Sequence, residues 1–275
     1  MKTTKIYAML SIIILMCACE KFTTEESKSS ENGENGNVTL HLTSCEGVER
    51  ISFGIFKNGE KVKIIQQTIS DNDFGTIHPT LSPGFYELVV IAHNGIANCT
   101  LSSPEKITFA NNKVTDTFYY YDTLNVDEDS NTQKDIPLQR AVGMFRLHIN
   151  DEIPTTAHTI KFYYTGGSST FNAKTGTGCV NSRQTETREM ATTQKDYDIY
   201  TFPHEGDRKL KITITVYDNY GNTLVNTTWQ NVPITRDHIT QYSGDLFTGT
   251  ETNPQESQIT FRFNPKWEGY DNYNF

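Results

Sequence analysis

From Val38 onward the chain keeps almost no helical period: its apolar residues fall in short runs rich in Val, Ile, Thr, Tyr and Phe, punctuated by Gly, Asn, Asp and Pro. Such runs suit a half-buried pleated surface, whereas a helix facing a core needs apolar residues three and four positions apart. The pattern restricts the chain to an all-β fold of antiparallel strands, and the turn residues mark where the chain doubles back. Lys57-Asn58-Gly59-Glu60 is the clearest turn, because an Asn-Gly pair accepts the positive φ of a tight hairpin. It joins strands expected at 51–56 and 61–69. Further strands are expected at 38–44, 74–81, 85–92, 106–109 and 114–121, enough for a complete β-sandwich.

The acidic, polar stretch 122–135 then interrupts the strand pattern, which places a boundary between an N-terminal domain at 37–135 and a C-terminal domain at 136–275. The second half repeats the pattern, with strands expected at 141–150, 159–164, 197–202, 209–217, 223–230, 239–247 and 258–263. Short matches recur in order. V-T-L-H-L from Val38 and I-S-F-G-I-F from Ile51 correspond to F-R-L-H-I from Phe145 and I-K-F-Y-Y from Ile160. P-G-F-Y-E-L-V-V-I-A-H-N-G from Pro83 corresponds to the run from Gly206, so two tandem sandwiches of one kind are expected. The Gly/Ser/Thr-rich span 166–195 exceeds an ordinary hairpin loop and reads either as an exposed loop or as two weak strands.

Ahead of these domains stand Lys2 and Lys5, an almost uninterrupted apolar run from Ile6 to Met16, and the cluster Cys17-Ala18-Cys19. That is the layout of a signal peptide, 1–18, with an apolar run too short for a helix that must cross a bilayer, which takes about 20 residues. Met16-Cys17-Ala18-Cys19 resembles the bacterial lipobox, with small Ala18 before a Cys19 that receives lipid, palmitate among its acyl chains. Residues 19–36 are polar and rich in Gly, Ser and Glu, a flexible tether. Loss of Lys2 and Lys5 with the leader takes the formal charge from −9 to about −11, a balance that repels phosphate backbones and argues against nucleic acid.

With Cys17 removed and Cys19 lipidated, Cys45, Cys99 and Cys179 remain, an odd set in which a Cys45–Cys99 bridge competes with three independent thiols. The motifs that carry nucleophilic, zinc or phosphate chemistry are absent from the sequence, so no enzyme, metal site or cofactor is expected. The seven histidines are scattered singly, with His41 and His148 at equivalent repeat positions. The aromatics 118–121 and the tail residues Trp267, Tyr270, Tyr273 and Phe275 are either a sugar-stacking platform or strand aromatics divided between core and surface.

The lipobox at Cys19, the S-P-G-F-Y-E-L-V-V-I-A-H-N segment from Ser82, L-Q-R-A-V-G-M-F-R-L-H-I-N-D-E-I-P from Leu138 and N-V-P-I-T-R-D-H-I-T-Q-Y-S-G-D-L-F from Asn231 together resemble the Bacteroidales fimbrillin superfamily. The likeness is to the lipoprotein anchor and accessory subunits of type V fimbriae. It implies two transthyretin-like Greek-key sandwiches, a lipid anchor in the outer membrane, and a surface-exposed fimbrium built by exchange of strands with other fimbrial subunits. It also implies adhesion to a host or bacterial surface ligand. In polymerising members a protease cuts after an arginine near the first strand, and Arg50 is the candidate here, although an anchor subunit would keep its lipid uncut. Asp122-Thr123-Leu124 resembles the O-glycosylation acceptor of this group of bacteria, with Thr123 as the modified residue. The competing function is a carbohydrate-binding surface lipoprotein of a glycan-uptake system, which would show exposed coplanar aromatics.

Overall fold

The computed structural model describes residues 37–128, 131–206, 208–249, 255–256 and 267–275. The signal peptide, Cys19, the tether and the strand expected at 258–263 lie outside the described residues.

Ten strands form the first part of the chain: β1 (Val38–Leu42), β2 (Arg50–Lys57), β3 (Glu60–Thr68), β4 (Thr76–Ile77), β5 (Gly84–His93), β6 (Thr100–Ser103), β7 (Lys106–Thr108), β8 (Thr117–Val126), β9 (Thr132–Ile136) and β10 (Gln139–Arg140). The rest contains β11 (Gly143–Ile149), β12 (Ala157–Thr165), β13 (Thr170–Asn172), β14 (Thr177–Gly178), β15 (Arg183–Glu189), β16 (Asp196–Thr201), β17 (Leu210–Asp218), β18 (Thr223–Val232), β19 (His238–Gly244), β20 (Gln255–Glu256) and β21 (Gly269–Asn274).

In the N-terminal unit the sheets β4-β1-β9 and β10-β8-β5-β2-β3 face each other. Their inner residues alternate with outer ones, as a pleat demands, and Val38, Leu40, Phe53, Leu88 and Val90 fill the core between them. The C-terminal unit repeats this with β16-β11-β19-β21-β20 and β15-β12-β17-β18 around Phe145, Leu147, Phe162, Ile214 and Trp229. The correspondence extends beyond the sequence repeat: β1, β2, β3, β4, β5, β8 and β9 occupy the places of β11, β12, β15, β16, β17, β18 and β19. The all-β sandwich expected from strand periodicity is the fold observed.

Two local expectations are corrected. Not every pair is antiparallel, since β1 runs parallel to β9, β11 to β19, and β19 to β21. Parallel pairing needs a long connection, and β1 and β11 meet β9 and β19 only after the chain has crossed the opposite sheet, while β19 and β21 are separated by the stretch 245–268. The stretch 122–135 is also not an interruption: β8 continues to Val126 and the chain returns as β9 beside β1. Alternation of Leu124 and Val126 inward with Thr123 and Asn125 outward was the strand signal hidden by the acidic residues that follow.

A further sheet, β14-β13-β7-β6, joins the units: β6 and β7 come from the N-terminal part, β13 and β14 from the 166–195 span, which therefore contains strands. Phe171 and Phe202 from one unit meet Ile107, Phe109 and Tyr119 from the other in a dry cluster across this junction. Tyr119 meets Phe171 edge to face, with centroids 4.8 Å apart.

Candidate assembly site at the chain's first and last strands

β1 is the first strand after the tether, and it lies between β4 and β9 with Val38, Leu40 and Leu42 buried and Thr39 and His41 on the other side. Asn37 fixes its entry, donating through Nδ2 to the Leu81 carbonyl at 2.7 Å and accepting the Leu81 N–H at 2.8 Å. His41 Nδ1 meets Thr76 Oγ1 at 2.9 Å, so this histidine serves the sheet surface. Its repeat equivalent His148 meets Asp196 at 2.7 Å in the same outward position. Among the described residues no three of His, Cys, Asp and Glu converge as a metal cage.

Arg50 opens β2 rather than a loose turn. Its backbone pairs with Thr68 and His93, and its guanidinium donates to the Gly95 carbonyl at 3.0 Å and to Asn98 Oδ1 at 3.2 Å. β2 is paired on both sides, so a protease would reach the bond after Arg50 only once this interior strand had come out of the sheet. Cys45 and Cys99 are free thiols in separate core clusters, so the bridge weighed between them is not formed, and Cys179 is free and exposed. Burial raises the thiol of Cys99 to about 12, against which a hydrogen bond from Ser52 works only weakly. Thr123 is exposed, although in mid-strand opposite Glu87.

At the other terminus β21 runs parallel to β19, with Tyr242 opposite Tyr273 and His238 opposite Gly269. Its aromatics divide by face. Tyr273 packs on Tyr242 at 4.9 Å and Phe275 on Trp229 at 4.7 Å, completing the C-terminal core, while Asn272 on the outer face accepts from Ser243 Oγ at 2.9 Å. Gly244 makes the approach feasible, since a Cβ there would stand 2.1 Å from the Phe275 carbonyl oxygen. Tyr273 and Phe275 thus serve the C-terminal core, while Trp267 lies apart from them.

Trp267, just before β21, belongs to the junction. Its ring lies 3.8 Å from the Arg140 guanidinium and stacks on Tyr200 at 6.5 Å. Arg140 is buried, gripped by Asp116 of the N-terminal unit at 2.8 Å and 3.1 Å and by Asp237 at 2.7 Å from the turn that leads into β19. Burial works against its charge, and the hydrogen bonds it donates to Asp116 and then Asp237 outweigh that cost, holding its pKa above the usual value. The Asp237 carbonyl also accepts the Glu268 N–H at 3.0 Å. One guanidinium therefore ties both units and the base of the terminal strand. Strand periodicity gives Arg140 no role; an arginine set directly against Ala141-Val142 and an apolar strand is the available sign of a buried, paired charge.

The model of a family of unknown function, DUF6562, matches residues 93–274. The chain belongs to that family. The match runs from the end of β5 through β21 and so includes the junction and the whole C-terminal unit. Comparison with curated proteins returns no match. Among solved structures, a Bacteroides thetaiotaomicron protein provisionally described as polysaccharide-binding is 12% identical, with 69% of this chain and 78% of that chain covered and a TM-score of 0.49. A Bacteroides ovatus protein provisionally described as an adhesin is 15% identical, covering 70% and 81% at a TM-score of 0.48. The fimbrial anchor protein Mfa2 from Porphyromonas gingivalis is 10% identical, covering 69% and 80% at 0.38.

Proposed function

We propose that the chain is a surface lipoprotein, acylated on Cys19, that serves as an anchor or accessory subunit of a fimbrial filament and joins its neighbours by exchanging strands, without catalysing a reaction. The observation that carries this reading is the placement of β21. In the N-terminal unit the sheet ends at β9, whereas the equivalent sheet continues from β19 into β21, the last strand of the chain. A strand donated by a neighbouring copy would restore the same ladder and the same aromatic contacts, so exchange loses no interaction and gains a link.

The matching edge in the N-terminal unit is guarded. Lys134 of β9 reaches Asp122 at 2.7 Å and lies 5.8 Å from the Tyr120 ring, and a charge directed inward at an edge discourages strand addition. Exchange is therefore directed to the β19 edge. The sequence resemblance to fimbrial anchor and accessory subunits supports the same role, and lipid on Cys19 supplies attachment to the outer membrane.

The test is electron microscopy of surface filaments from cells with and without this chain, with mass spectrometry of its mature N-terminus. Lost, shed or altered filaments together with an acylated Cys19 are expected. A new N-terminus after Arg50 would make it a polymerising stalk subunit, and unchanged filaments that lack the chain would overturn the proposal.

A further inference from the structure

A cleft of about 580 Å³ opens on the C-terminal unit, lined by Asn172, Thr177, Asn181, His204, Glu205 and Arg208 among others. Its floor is made by β14 lying on the chain at 203–204: Gly178 N–H donates to the Pro203 carbonyl at 2.7 Å and Gly178 bridges to His204. A Cβ at position 178 would stand 2.4 Å from the Ser168 Cβ and 2.7 Å from the Phe202 carbonyl oxygen, so only glycine lets the floor close.

The lining is polar and rich in donors. Asn172 Oδ1 is spent on the N–H of Lys174 at 2.9 Å, which fixes the turn, and the Thr175 and Thr177 hydroxyls meet at 2.7 Å. Among the described residues the side-chain NH₂ groups of Asn172 and Asn181 have no partner. No Phe, Tyr or Trp lines the cleft, and His204 is its one aromatic ring, which disfavours an apolar ligand.

Glu205 and Arg208 are the charged residues that line the cleft, and Arg208 is the one that can meet an anion. Arg140, Arg146 and Arg188 each hold a carboxylate, whereas Arg208, like Arg50 and Arg236, has a neutral partner: it gives Nη1 to Asn181 Oδ1 at 2.7 Å and, among the described residues, meets no carboxylate. A guanidinium with donors to spare matches the two oxygens of a carboxylate, and amides and hydroxyls match the hydroxyl groups of a sugar. We propose that this cleft binds an acidic saccharide of one or two units, with the sugar carboxylate on Arg208 and ring hydroxyls on Asn172, Thr177 and Asn181. The site goes beyond the assembly role and holds whether or not β21 exchanges.

The test is an amide NMR titration of the mature chain with digalacturonate, with lactose and acetate as controls, repeated on Arg208→Gln and on Asn172→Ala. Shifts confined to the cleft, saturating with digalacturonate and at least about tenfold weaker with lactose, acetate or either variant, are expected. Arg208 is exposed, so Arg208→Gln keeps the wild-type spectrum outside the cleft, whereas Asn172→Ala also frees the Lys174 N–H and adds shifts confined to the 172–177 turn. Equal binding of lactose, equal binding of acetate, unimpaired variants or an absence of cleft shifts would each overturn the assignment.

Discussion

Replacing Trp267 by alanine isolates what holds the terminal strand in place. The ring is half-buried, 3.8 Å above the Arg140 guanidinium and against Tyr200. Truncation of a fully buried tryptophan costs about 3–5 kcal/mol, so a half-buried one costs roughly half of that, near 2 kcal/mol, with the cation–π contact inside that figure. The loss falls on docking of β21 and on the junction cluster that Trp267 packs against, not on the C-terminal sandwich core, which does not include it. At 1.4 kcal/mol per decade, about 2 kcal/mol enlarges the undocked population by roughly 30-fold. Hydrogen exchange read by mass spectrometry should show that loss of protection over residues 269–274, with β12 and β17 unchanged. Uniform loss across both sheets would show that Trp267 supports the whole unit, and unchanged protection at 269–274 would show that it latches nothing.

Two further outcomes follow from charges at particular places. His93 is buried at the junction with Nε2 unpartnered, and burial first, then the nearby Arg50 charge, lowers its pKa to about 4 from an ordinary value near 6.5. The unfolded chain takes up the proton at higher pH than the fold does, so the contribution is complete above about pH 6.5 and is lost as pH falls toward 4, up to about 3 kcal/mol. His93→Leu should flatten urea stability over that window, and parallel profiles for variant and wild type would contradict this. Lys134→Ala should change stability by less than about 1 kcal/mol, since the pair with Asp122 is partly exposed, yet raise self-association in light scattering by unguarding the β9 edge. A variant that stays monomeric at high concentration would remove Lys134 from that role.

Strand periodicity was legible wherever burial alternates residue by residue. β1, β12 and β17 show it, whereas β2 and β5 are buried on both faces and stand out as near-continuous apolar runs, and three correspondences between the units also appeared as sequence matches. What the sequence concealed was set by distance along the chain. β9 is polar on one face because it lies at an edge, and β21 lies beside β19 only after a long connection, so neither has a local sign of its partner. The parallel pairs were missed for the same reason. At the junction, Arg140 draws its partners from Asp116 and Asp237, positions that no local spacing associates. The cleft on the C-terminal unit arises where the 166–195 span folds onto the chain at 203–204, and Gly178 gives it a floor without any recognisable motif.

The most direct test of strand exchange uses the register of β19 and β21, in which Gln241 stands opposite Asn272 with their side chains 3.4 Å apart. Two differently tagged copies, one carrying Gln241→Cys and the other Asn272→Cys, would be produced together and their surface filaments oxidised. Exchange predicts a covalent link between the two tags, at a separation that suits a disulfide. A link that forms only when both cysteines lie on the same chain would show that β21 stays at home, and would contradict the account.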